Sequence, residues 1–135
     1  FESITNLDEY SLTSALNHYL KKELVSPLST EIVVQNFDAR RNATLRTYEY
    51  LIINRIAPPA IAKNKAWHVS KILNVKLISD AIKIFEGTHD FTTFRAASCE
   101  AASPIRTIDR TKVTTANEEI LITFQSRSFL QHQVR

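Results

Sequence analysis

An α+β fold, a largely antiparallel sheet with helices packed on one face, is the class that this 135-residue sequence predicts, and three observations predict it. Residues 44–54 are β-forming and alternate in character. Residues 104–115 and 119–127 alternate around "TTANEE" and predict an antiparallel hairpin. Between them, "LISDAIKIFEG" spaces Ile78, Ala81, Ile82 and Phe85 at i, i+3, i+4 and i+7, the stripe of a core-facing helix.

Taken in order, "FESITNLDEY" is polar and unperiodic, and "SLTSALNHYLKK" predicts a helix over about 12–22 behind a Ser11 cap. After Pro27, the β-branched "TEIVVQNF" predicts a short strand leading to "DARRNA", a polar connector and the best candidate for a domain boundary. The strand over 44–54 then sets Leu45, Thr47, Glu49, Leu51 and Ile53 on one face and Arg46, Tyr48, Tyr50 and Ile52 on the other. Pro58 and Pro59 exclude helix or central strand from "RIAPPAIAKNKA", which predicts an exposed loop. Gly87 stands where the 78–85 helix ends and positive φ is wanted. "THDFTTFRA" is aromatic and short, with Asp90 beside His89 shaping a turn, and "SFLQHQVR" begins what reads as a last helix.

Composition narrows the chemistry. An apolar fraction of 44% and a charged fraction of 23% belong to a chain that buries a core. The single glycine excludes a phosphate-cradling loop, a dinucleotide fingerprint and a nucleophile elbow, each of which needs several. Four histidines, His18, His68, His89 and His132, lie far apart, so no zinc site is expected, and no cofactor. No apolar run approaches the roughly 18 residues that span a bilayer. The lone Cys99 reads as a small half-buried thiol and fits a reducing compartment, the cytoplasm by default. A net charge of +3 is a mild basic bias that suits a polyanion.

Two constellations could carry function. Arg46, Tyr48 and Tyr50 project from one strand face about 7 Å apart, where rings can stack on a nucleobase or simply pack on a helix. Arg40, Arg41, Arg46, Arg95, Arg106, Arg110, Lys112, Arg127 and Arg135 form a basic groove if the sheet gathers them, and scattered solvated charges if it does not. Pattern alone leaves both open.

Four stretches in order resemble one family. "FDARRNATLRTYEY", "FEGTHDFTTFRA", "SPIRTI" and "FLQHQVR" are similar, in sequence and spacing, to the tRNA pseudouridine synthase A patterns F-H-A-R-x-x-A-x-x-R-x-Y-x-Y, L-x-G-x-H-D-F-x-x-F-R, T/S-P-x-R and F-L-H-x-M-V-R-N. The resemblance covers nearly the whole chain. It implies two ferredoxin-like or RNA-recognition-like halves joined across a basic cleft, usually as a homodimer, and a cofactor-free isomerase converting uridine to pseudouridine at positions 38 to 40 of the tRNA anticodon arm. It assigns Tyr48 to stacking on the target base and to removal of its C5 proton, and Arg135 to pairing with a nucleophilic aspartate. Arg40, Arg46, Arg95 and Arg106 become the expected RNA contacts. Residues 1–42 become the tail of the N-terminal half and 43–135 a truncated C-terminal half.

The departures carry expectations of their own. The family's aspartate loop, G-R-T-D-A-G-V-H, has no counterpart here, so the chain alone is expected to be inactive. Asp38, Arg41, Gln131 and Gln133 replace residues more usual in the family. A non-catalytic RNA-binding or dimerisation module of the same fold is the alternative.

Overall fold

The computed structural model describes residues 4–134. The chain divides into two compact units between Asn42 and Ala43. No helix is long and apolar enough to cross a membrane among the described residues.

In the first unit, helix α1 spans Glu9–Tyr19. It starts three residues before the apolar stripe suggests, because Asp8 rather than Ser11 caps it: its Oδ1 accepts from the Ser11 N–H at 2.6 Å. No residue of α1 is buried. The predicted strand "TEIVVQNF" is not a strand in the structure. β-branched residues extend a chain, but a ladder needs a neighbouring strand, and these residues are instead tied to the helix start. The Thr30 hydroxyl donates to the Glu9 carbonyl at 2.7 Å, and the Ile32 N–H donates to Glu9 Oε1 at 3.1 Å.

The second unit is α+β with a largely antiparallel sheet, as predicted. Its strands are β1 (Arg46–Asn54), β2 (Trp67–Val69), β3 (Gly87–Asp90), β4 (Ile105–Ile108), β5 (Arg110–Ala116) and β6 (Glu119–Ser126), with helix α2 at Val75–Lys83. A four-stranded sheet runs β2-β1-β6-β5, and β3 pairs with β4 separately. β1 is antiparallel to β6, with Tyr48 opposite Phe124, and β5 and β6 form the expected hairpin around Asn117 and Glu118. The β-rich 104–115 segment is divided at Asp109, whose N–H still reaches the Gln125 carbonyl at 2.8 Å.

Helix α2 is capped by Asn74 and packs against β5. Beyond it, Glu86 Oε1 accepts from both the Thr111 N–H (2.7 Å) and the Thr111 hydroxyl (2.8 Å), fastening the helix end to that strand. Gly87 has φ of +96°, the left-handed value predicted for it, and opens β3. Phe91, Ile108 and Leu130 make one buried cluster, with Phe85, Cys99, Phe124 and Phe129 around them, and Ile52, Ile53, Ile82 and Ile120 are buried as well. The last helix read from "SFLQHQVR" is absent among the described residues. There Gln133 folds back, its Oε1 accepting from the Leu130 N–H at 2.7 Å, and closes a turn in which His132 takes φ of +63°.

Candidate nucleic-acid interface

Strand β1 presents two tyrosines on one face. Tyr48 is 49% exposed and Tyr50 is 40% exposed, although both belong to a nine-residue strand. β6 borders the whole of β1, whereas β2 pairs only with Ile52, Ile53 and Asn54. The Tyr48 stretch therefore lies along an open sheet edge.

The Tyr48 ring is held edge-on by Phe129, with centroids 4.9 Å apart. Phe129 belongs to the segment after β6, which is secured at several points. Arg46 Nη1 donates to the Arg127 carbonyl, and to the Ala43 carbonyl at 3.4 Å. The Ser126 hydroxyl bonds the Thr107 carbonyl at 2.6 Å and accepts from the Ser128 N–H at 3.1 Å. The Ala96 N–H donates to the Gln131 carbonyl at 3.0 Å. The wall and the arm that steadies it are thus one construction, and a ring fixed on one edge keeps a face for a planar ligand.

Of the expected RNA contacts, Arg46 is half-buried at the start of this wall. Arg95 and Arg106 flank Cys99. The backbone N–H groups of Ala101 and Gln131 are the main reason the Cys99 thiol is held below its usual range, and the two guanidiniums add to the effect. Arg106 Nη1 donates to the Ser103 carbonyl at 2.9 Å and to the Ile105 carbonyl, while its Nε is buried with no partner among the described residues. Arg40 sits in the other compact unit, on a turn where Asp38 Oδ1 accepts from the Arg40 and Arg41 N–H groups, both at 2.9 Å. Arg135 lies outside the described residues. Arg46 meets the 127–134 arm through the Arg127 carbonyl, whereas Arg95 and Arg106 are linked to it through Cys99, which also interacts with the Gln131 N–H.

The two acids singled out by sequence are engaged locally. Asp90 accepts from the Thr92 hydroxyl (2.6 Å) and N–H (2.8 Å), which hold its carboxyl below the ordinary range, and it shapes the turn over Thr92–Phe94. Asp38 caps its own turn. No group of three His, Cys, Asp or Glu residues able to hold a metal ion occurs among the described residues.

Sequence reasoning missed Trp67. It stands 59% exposed on β2, edge-on to Tyr50 at 6.4 Å, beside a groove of about 720 Å³. A three-residue strand has no periodicity to read, and the only signal was that this is the chain's one tryptophan.

The α+β fold with its largely antiparallel sheet is consistent with a half-domain of a pseudouridine synthase, and the family described as tRNA pseudouridine synthase matches residues 81–135. Over 134 residues, 98% of this chain, the sequence is 46% identical to the tRNA pseudouridine synthase A of Bartonella quintana. It is 42% identical over 97% of the chain to that of Neorickettsia sennetsu, and 43% identical over its full length to that of Anaplasma phagocytophilum. Over nearly its whole length the chain is similar to tRNA pseudouridine synthase A proteins. It spans 54–55% of the length of these curated relatives.

Proposed function

We propose that this chain forms part of a cofactor-free tRNA pseudouridine synthase that isomerises uridine at positions 38 to 40 of the anticodon arm, and that it supplies the wall for the target base. The observation that carries the reading is Tyr48: half exposed on a sheet edge, yet steadied by Phe129. A base taken out of its stack needs a flat surface to replace the lost contacts, and an aromatic ring contributes about 1–3 kcal/mol of that.

In this mechanism a carboxylate attacks C1′ as its bond to N1 breaks, the base turns on the Tyr48 ring, and C5 attacks C1′ and releases the carboxylate. The C5 proton leaves with help from the Tyr48 hydroxyl, and N1 ends protonated. No carboxylate of this chain is assigned the nucleophile's role. Arg135 pairs with that aspartate, keeping it ionised and therefore nucleophilic. Arg40, Arg46, Arg95 and Arg106 hold phosphates of the arm. The intact enzyme works in the cytoplasm as a homodimer.

The test is pseudouridine formation in anticodon-arm RNA. The 135 residues alone are expected to give no turnover. Addition of a segment bearing the aspartate loop should restore it, Tyr48→Leu should remove it, and Tyr48→Phe should separate stacking from proton removal. RNA binding without turnover in the completed protein would instead favour a non-catalytic module.

A further inference from the structure

The groove beside Trp67 has no part in the reaction described above. Its lining includes Glu49, Tyr50, Asn64, Lys65 and Trp67, with the apolar Ile122 and Phe124. We propose that it is a second RNA seat, taking an unpaired nucleobase of a single-stranded RNA while Lys63, Lys65, Lys71 and Lys76 hold the phosphates on either side. This deepens the reading above and shares with it only the premise that the chain meets RNA.

Three observations converge. The first is aromatic: Tyr50 and Trp67 stand edge to face, both substantially exposed, at the mouth of a space large enough for a base. The second is charge. Glu49 lines the groove, but from there to Asp80 the chain has no further acidic residue and carries Arg55, Lys63, Lys65, Lys71 and Lys76. Glu118 neutralises Arg55 at 2.8 Å, whereas the four lysines are exposed and meet no carboxylate among the described residues. Such a field attracts a polyanion and opposes a second copy of a chain that is itself net positive at +3. The third is continuity. Phe124 lies opposite Tyr48 in the ladder and also lines the groove, so the Tyr48 position and the groove share a residue. A strand seated on Tyr48 passes a neighbouring base to Trp67.

Trp67 is the chain's only tryptophan, so its emission reports this groove alone. The purified 135-residue chain is titrated with a uridine decamer at low and high salt, with dextran sulfate as a polyanion without bases and circular dichroism to verify the folding of each variant. Expected is a saturable quench by the decamer but not by dextran sulfate. Tyr48→Leu should weaken overall binding yet leave the quench at saturation. Lys65→Glu should weaken binding at least fivefold, and Lys63→Ala should make the log–log salt slope shallower by about 0.7. With binding read from a labelled decamer, Trp67→Phe should stay within about twofold and Trp67→Ala should lose about fivefold or more. Decamer binding that depends on Tyr48 but never quenches Trp67 overturns this seat and leaves the Tyr48 reading standing. Absence of both binding and quench overturns both. An equal quench by dextran sulfate, or a quench that follows protein concentration as the chain self-associates, overturns the base seat.

Discussion

The two halves of β1 are built from one alternating pattern and end in opposite states. Ile52 and Ile53 are 3% and 6% exposed, while Tyr48 and Tyr50, a few residues earlier, stand open. The difference lies in the neighbours. At Ile52 the strand has β2 on one side and β6 on the other, and consecutive residues are buried on both faces. At Tyr48 it has β6 alone. An edge frees a surface, and the buried half keeps that surface from moving.

Three substitutions within the strand sharpen or break this contrast. Ile53→Asp puts an unpaired charge into the anchored half and should abolish cooperative unfolding of the sheet, read by circular dichroism in urea. The milder Ile52→Ala should cost about 2–4 kcal/mol in the same assay. Tyr48→Leu in the open half should shift Tm by no more than about 2 °C, as an exposed substitution does, while abolishing turnover of the completed enzyme, because both base stacking and the hydroxyl are lost. If Tyr48→Leu unfolds the sheet, the two halves are not distinct.

The smaller effects test the anchoring from outside the strand. Glu86→Gln leaves Thr111 with a weaker acceptor and should lower Tm by roughly 2–5 °C. The Glu86 carboxyl is held below its ordinary range first by the Thr111 N–H and then by the Thr111 hydroxyl. Its contribution is therefore complete above the unfolded carboxylate range and lost as pH falls through the lower folded value. Asp90, lowered by Thr92, has the same sign. Stability should drop below about pH 4.5, and Glu86→Gln should make that drop smaller in acid unfolding curves.

Legibility in the sequence followed locality. The β5–β6 hairpin announces itself through its turn, α2 through its stripe, and β1 through alternation, because neighbours in sequence determine each. The parallel β2 depends on partners fifteen residues away and offers only Trp67, His68 and Val69 to read. The helix expected in "SFLQHQVR" failed for a related reason: Gln133 bonds back to Leu130 within one turn and ends the segment. In the candidate site, Tyr48 could be picked out by alternation, but whether it packs or waits for a ligand turned on the missing neighbour strand and on Phe129, neither of which periodicity contains. The reaction role proposed for it came from resemblance to a family, not from spacing.

Cys99 gives the arm after β6 a chemical clock. The thiol draws part of its acidity from the Gln131 N–H, so its thiolate population depends on the arm being seated. With one thiol in the chain, the rate of alkylation at fixed pH measures how firmly that arm, and with it the Phe129 support of Tyr48, is held.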